Sequence, residues 1–201
     1  MLFCKVGGGT DFQSVIDANE KENFCFIKYL VASKPNIGAI ERAKKHGIAT
    51  LVFDKEQETQ DEFYARVTAT LKQAGVQLIV LAGWLKVVPA SFIEQFKDAI
   101  INIHPSLIPA FCGMGYYGLK VHSAAIEYGV KLSGATVHFV EADVDGGAII
   151  MQRSVPVLDG DTPETLQARI LKEEHQMLPL CVKFICQDKV QKSGRMVTIK
   201  Q

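Results

Sequence analysis

Two short segments hold residue types that can do chemistry: Asn102-Ile103-His104-Pro105-Ser106-Leu107-Ile108-Pro109, and Asp145 within Val144-Asp145-Gly146-Gly147. The first follows an apolar run, Ala99-Ile100-Ile101, that reads as a buried strand, and its prolines stop any regular element after His104. An amide, an imidazole and a carboxylate thus fall in loops at strand ends, where open α/β sheets place their reactive groups. The trio suits acyl transfer: a donor for an oxyanion, a proton carrier, and a group that orients and charges the carrier.

A solitary histidine is more often a satisfied structural residue than a catalyst. Three facts shift the weight for His104: it stands between Asn102 and Pro105 at a strand end, a rigid proline-bracketed loop follows it, and the later Asp/Gly loop can supply a carboxylate. His46 ends a helical pattern, His138 lies in an alternating strand, His122 is near a helix start and His175 is within a long helix. These four read as structural first, with His122 and His138 the closer supporting candidates.

The elements that must position these groups follow a strand–helix alternation. Residues 2–6 read as a strand, and Gly7-Gly8-Gly9-Thr10-Asp11 turns into a helix carrying Phe12, Val15, Ile16 and Ala18. Strands are expected over 24–31, 49–53, 78–82 and 99–103. Helices are expected over 37–46, 61–74 and 89–96, the first two closed by Gly47 and Gly75. Continuous apolar strands between helices argue for a parallel, doubly wound sheet. The pattern then changes: 130–140 and 148–157 are long, partly alternating runs joined through 141–147, an antiparallel extension. Thr162 as N-cap and Pro163 at the first helical position open a long helix with Leu166, Ile170 and Leu171. Pro179 kinks that helix or begins a new segment, and two weak β runs follow Asp188. The fold class is therefore α/β, a doubly wound, mostly parallel sheet with antiparallel C-terminal strands. With no repeat or linker in 201 residues, one domain is expected.

Composition removes several classes. Lysines plus arginines number 22 and aspartates plus glutamates 22, so no global field draws in nucleic acid and any anion must be held locally. Apolar runs such as 76–88 are too short and interrupted to span a bilayer, and the start lacks the zones of a signal peptide. The five cysteines are scattered without a Cys-x-x-Cys pair, which reads as a reduced, cytoplasmic protein with no metal site. The acids of 141–147 could line a cation loop, but Ala148-Ile149-Ile150 denies the closing glutamate of an EF-hand. A plain Asp-Gly hairpin turn explains that stretch equally well. The glycine loop is neither Gly-x-Gly-x-x-Gly, since Phe12 takes the sixth position, nor a Walker A loop. It suits a monophosphate at a helix N-terminus, or simply a tight turn capped by Thr10 or Asp11.

The Asn102–Pro109 block, Gly134-Ala135-Thr136-Val137-His138-Phe139-Val140 and Asp143-Val144-Asp145-Gly146-Gly147-Ala148-Ile149-Ile150 together resemble the folate-dependent phosphoribosylglycinamide formyltransferases of purine synthesis. The likeness runs in order over nearly the whole chain and includes the 7–13 loop, Leu81-Ala82-Gly83-Trp84-Leu85-Lys86 and Glu173-Glu174-His175. It implies a single Rossmann-like formyltransferase domain over 1–201, with a phosphate-binding half at 1–100 and a catalytic, folate-binding half at 101–201. It implies Asn102, His104 and Asp145 as catalytic residues. Gly9, Thr10 and Asp11, with Leu171, Lys172, Glu173 and Glu174, would bind phosphoribosylglycinamide. Leu85, Lys86, Val87 and Val88, with Asn102, Glu141, Ala142, Asp143 and Val144, would bind 10-formyltetrahydrofolate, the co-substrate, with no metal required. An opposite charge at Asp145 is expected to raise the pKa of His104.

Three positions depart from the family pattern: Asp11 stands where an Asn is common, Gln60 where some members place an arginine, and Val6 where a small polar residue usually precedes the glycines. The glycine-rich 112–118 loop reads as a lid over the substrates. The partners implied are small molecules, without nucleic acid or membrane, for a monomer or homodimer. A formyltetrahydrofolate hydrolase, or another enzyme of the same fold, is the alternative. The tRNA-formylating relatives usually add a C-terminal domain and a basic surface, which the neutral chain does not suggest. A dinucleotide oxidoreductase is disfavoured by the failed glycine fingerprint and by the basic end of Val31-Ala32-Ser33-Lys34.

Overall fold

A computed structural model describes residues 2–5, by their backbone, and 8–200 with side chains. Contacts divide the chain into two compact units, Met1–Ile101 and Asn102–Gln201. In the first unit, β1 (Leu2–Lys5), β2 (Tyr29–Ala32), β3 (Ala49–Val52) and β4 (Ile79–Ala82) lie in the order β3-β2-β1-β4. All three pairings are parallel, with Leu2 opposite both Tyr29 and Ile79. Parallel neighbours need crossovers, and the helices α1 (Thr10–Glu22), α2 (Gly38–Lys45) and α3 (Gln60–Gln73) supply them. A short α4 (Ala90–Gln95) precedes β5 (Ile100–His104), in which the boundary between the units falls.

Local chemistry explains the helix ends. Thr59 caps α3 with a reciprocal box: its hydroxyl accepts from Glu62 N–H, and the Glu62 carboxylate accepts from Thr59 N–H. Phe63, Val67 and Leu71 then bury one face at helical spacing. Phe53, Phe63, Tyr64, Phe92 and Phe96 continue as a chain of aromatic contacts with successive centroids 5.0–5.5 Å apart. The expected strand over 24–31 is shorter than its apolar content suggests. Its register begins at Tyr29, opposite the first residue of β1, while Phe26 is left 74% exposed.

The second unit contains β6 (Leu132–Phe139) and β7 (Ile149–Pro156), antiparallel as the alternation implies, in the order β5-β6-β7. A register shift occurs between Val137 and His138. At Gly134 a Cβ would collide with the Arg153 carbonyl oxygen across the ladder and stand 2.8 Å from Leu107 Cδ2, so only glycine fits. The helices α5 (Leu119–Tyr128) and α6 (Pro163–Cys186) pack on each other, and α6 also packs on β6 and β7. Thr162 caps α6 and Pro163 opens it; the helix runs on through Pro179 rather than restarting there. Leu166, Ile170 and Met177 are fully buried along its inner face. A separate hairpin, β8 (Val190–Ser193) with β9 (Met196–Ile199), follows and packs its second strand on β7.

α5 buries His122 beside Val121 and Ala125. Burial first, and the nearby His104 second, push its imidazole down to about 4 from an ordinary 6.5. Between these values the unfolded chain binds a proton that the folded chain refuses, so stability falls as pH drops from about 6.5 to about 4. The His122→Gln variant should lose up to ~3 kcal/mol less than the parent over that window, read as the difference between urea-unfolding curves at the two pH values. Separately, Gly134→Ala should cost about 1–3 kcal/mol in the same measurement at neutral pH.

Candidate active site

β5 delivers Asn102 and His104 two residues apart, on the same face at the end of the strand. His104 is 5% exposed. Its Nδ1 lies 3.5 Å from Asp145 Oδ2, and its Nε2 lies 2.9 Å from the Phe111 carbonyl oxygen. The ring therefore stands between two acceptors. Asp145 is held in turn by the Gly113 N–H, which donates to Oδ2 at 2.9 Å. It occupies the left-handed region at φ 56, which Asp tolerates better than most residues. Gly146 N–H closes the turn onto the Asp143 carbonyl at 3.0 Å.

His138 completes the cluster. Its Nδ1 is 2.8 Å from the Phe139 carbonyl, which assigns the ring proton there, so Nε2 accepts from the Asn102 amide at 3.1 Å. The same Nε2 lies 3.6 Å from Asp145 Oδ1. Asn102, His104, His138 and Asp145 thus form one connected group within the second unit. His138 is more closely engaged than a supporting residue in an alternating strand would suggest. The signal for it is the alternation of β6, which turns Thr136 and His138 to the same side.

Electrostatics correct one expectation. Burial is the largest influence on His104 and leaves its pKa below the ordinary value; Asp145 and the Phe111 carbonyl oppose it without overcoming it. For Asp145, burial raises the pKa, but the His104 imidazole and the Gly113 N–H hold the carboxyl below its usual range. The resting pair is an anionic Asp145 beside a neutral, desolvated imidazole at neutral pH.

Thr136 secures the loop after β5. Its hydroxyl donates to the Ser106 carbonyl at 2.7 Å and accepts from Ile108 N–H at 3.2 Å and from Gln152 Nε2 at 3.0 Å. Gln152 Nε2 also donates to the Ile108 carbonyl at 2.9 Å, and Ser106 Oγ donates to the Ala110 carbonyl. No motif marks Gln152 in the sequence, nor the main-chain groups of Phe111 and Gly113.

The other expected site residues fall in three places. In the first unit Gly9, at φ 78, is itself the N-cap of α1, with no side-chain cap bond; Thr10 and Asp11 are the first helical residues, not caps. A Cβ on Gly9 would lie 2.9 Å from Ala39, so the loop approaches α2 too closely for any other residue. Val6 and Gly7, at the start of this loop, lie outside the described residues.

Leu85, Lys86, Val87 and Val88 form an irregular segment after β4, with Leu85 and Val87 more than half exposed. The Lys86 ammonium sits 3.6 Å from the centre of the Phe53 ring, and burial lowers its pKa. Gln60 donates to the Val87 carbonyl at 3.4 Å. In the second unit Leu171, Lys172, Glu173 and Glu174 lie in α6: Glu174 is buried, Glu173 pairs with Arg153 at 3.2 Å, and Lys172 faces solvent. Glu141, Ala142, Asp143 and Val144 form the β6–β7 loop, with Glu141 paired to Lys192 at 2.8 Å. Among the described residues no cluster of His, Cys, Asp or Glu could hold a metal ion.

These groups can be set beside known proteins. The formyl transferase family model matches residues 1–182. The chain is similar to the chloroplastic phosphoribosylglycinamide formyltransferase of Vigna unguiculata, with 41% identity over 186 residues, 92% of this chain and 60% of that protein. The protein of the same name from Arabidopsis thaliana is 38% identical over 187 residues, covering 92% of this chain and 64% of its own length. The chain thus spans somewhat under two thirds of these relatives. Glycinamide ribonucleotide transformylase 1 from Symbiobacterium toebii has a similar structure, with a TM-score of 0.91 at 36% identity over 100% of this chain and 93% of that one. A match over most of its length, on top of the Asn–His–Asp cluster, places the chain in the formyl transferase family.

Proposed function

We propose that the chain transfers the formyl group of 10-formyltetrahydrofolate to the amine of phosphoribosylglycinamide in purine biosynthesis. The observation that carries this reading is the Asn102–His138 and His104–Asp145 pairing at the end of β5, with both imidazoles buried. It is the arrangement an acyl transfer needs, and it comes with similarity to proteins named for this reaction.

The chain's own groups suggest the steps. Asn102 gives one N–H to His138, which leaves the second N–H of that amide for the oxygen that becomes negative when the amine adds to the formyl carbon. The proton that the attacking nitrogen loses reaches the unprotonated ring nitrogen of His104, neutral at rest, through a water, because both ring nitrogens face protein acceptors. The imidazolium so formed faces the Asp145 carboxylate, which stabilises it, and it returns the proton to the departing folate nitrogen. The balance closes: one C–N bond forms, one breaks, and one proton moves between nitrogens.

In this reading Gly9, Thr10 and Asp11 offer their main-chain N–H groups at the α1 terminus to the substrate phosphate, with Leu171, Lys172, Glu173 and Glu174 at the substrate. Leu85, Lys86, Val87 and Val88, with Glu141, Ala142, Asp143 and Val144, receive the folate. Residues 1–201 act as one formyltransferase domain, 1–100 serving the phosphate and 101–201 the folate and the chemistry. The partners are these small molecules and, at most, a second copy of the chain. The balanced charge supports the exclusion of nucleic acid. Among the described residues no helix is long and apolar enough to cross a membrane. The scattered thiols suit the cytoplasm, whereas the plant relatives carry the word chloroplastic in their names.

Three measurements test the reading. His104→Ala and Asp145→Asn should fold and bind folate while losing roughly a hundred- to a thousandfold in turnover. Near-parental turnover of pure His104→Ala would remove the assignment, and folate consumption without the ribonucleotide acceptor would point to a hydrolase. In the imidazole NMR signals, His104 should titrate below 6.5. Because Asp145 raises that value, Asp145→Asn should move it lower still.

A further inference from the structure

The family match ends within α6, so the β8–β9 hairpin lies beyond it. That hairpin nevertheless reaches the loop that carries Asp145. Arg195, at its turn, donates from Nη1 to the Gly146 carbonyl at 2.8 Å. Lys192, on β8, pairs through Nζ with Glu141 Oε1 at 2.8 Å and lies 5.5 Å from the centre of the Phe139 ring. The two cations hold opposite ends of the 141–147 loop.

The loop needs holding. Asp145 is left-handed at φ 56, a conformation that carries a cost for any residue with a side chain, although Asp bears it better than most. Gly147 is packed so tightly under the Phe139 carbonyl that no Cβ fits, and a Cβ on Gly146 would stand 2.7 Å from Asp143 Cβ. Gly146 is fixed on both sides: its N–H by the Asp143 carbonyl, its carbonyl by Arg195. Both bonds lie on the residue that follows Asp145, whose carboxylate stands 3.5 Å from His104.

We propose that the β8–β9 hairpin is a clamp on the Asp145 loop, with Arg195 the positioning residue for Asp145 and Lys192 the anchor at the folate end. The proposal rests on the formyl-transfer reading for its kinetic consequences, but not for its geometric ones. Arg195 is exposed, so its bond to Gly146 adds little to global stability and acts on the placement of one loop.

The test uses the full chain with Arg195→Ala, Arg195→Lys, Lys192→Ala and, as a control on the same hairpin, the exposed Met196→Ala. Arg195→Ala should keep its thermal midpoint within about 2 °C. With Asp145 loosened, its upward influence on His104 weakens, so the His104 imidazole should titrate at lower pH than in the parent, without substrate present. In assays kcat should fall about fivefold or more, and Arg195→Lys should recover part of both effects. Lys192→Ala should raise the KM for 10-formyltetrahydrofolate with little change in kcat, and Met196→Ala should change nothing.

An unchanged His104 titration together with unchanged kinetics in Arg195→Ala overturns the clamp. If truncation at Arg195 lowers the midpoint strongly, Arg195→Lys and Lys192→Ala decide: parental titration and kinetics in both also overturn it. A parent protein that fails to transfer formyl, while the titration still moves in Arg195→Ala, removes the functional reading and leaves the clamp standing.

Discussion

The contest between burial and charge at His104 governs the rest of the second unit. An imidazole almost out of contact with water resists a proton, while a carboxylate at 3.5 Å and a carbonyl at 2.9 Å invite one. Burial prevails at rest. The ring is therefore ready to receive a proton rather than to hold one, and its acceptors become useful once it is charged. Had the carboxylate stood in water, the same pair would be screened and far less able to move a proton on demand.

Most of the surrounding architecture keeps that balance. β5 presents Asn102 and His104 on one face, β6 brings His138 to meet the amide, and Thr136 with Gln152 ties down the segment that ends in the Phe111 carbonyl. Gly134 lets β7 come close enough for Gln152 to reach across. The long α6, with its capping box and buried Leu166, Ile170 and Met177, provides the mass against which these strands are packed. The glycine loop and the segment after β4 are built in the first unit by different devices, a left-handed N-cap and an aromatic cluster.

Much of this was legible in the chain. Apolar periods and glycine stops mark α2 and α3, Thr162-Pro163 marks the start of α6, and alternation marks β6 and β7. Elsewhere tertiary pairing overrides local pattern: residues 24–28 are as apolar as a strand, but the described pairing with β1 runs from Tyr29. The cap of α1 fell to Gly9 because its close approach to Ala39 admits no side chain, although Thr10 and Asp11 have better capping chemistry. In the site, side chains with distinctive types could be singled out from the sequence. Main-chain groups could not, since every residue has them. The downward displacement of His104 was likewise hidden, because the extent of burial is a property of packing.

The contacts at Phe111 and Gly113 have an evolutionary consequence. One offers a carbonyl and the other an N–H, so both hold the His104–Asp145 pair through atoms common to nearly all amino acids. Selection on the chemistry therefore acts on the path of this loop, and on Gly113 through its left-handed φ of 86, more than on its other side chains. Cys112, flanked by the two contacts, can drift in identity while the atoms around it stay in place. Such a stretch can look poorly kept between relatives and still be indispensable, and a scan of side chains alone would underrate it.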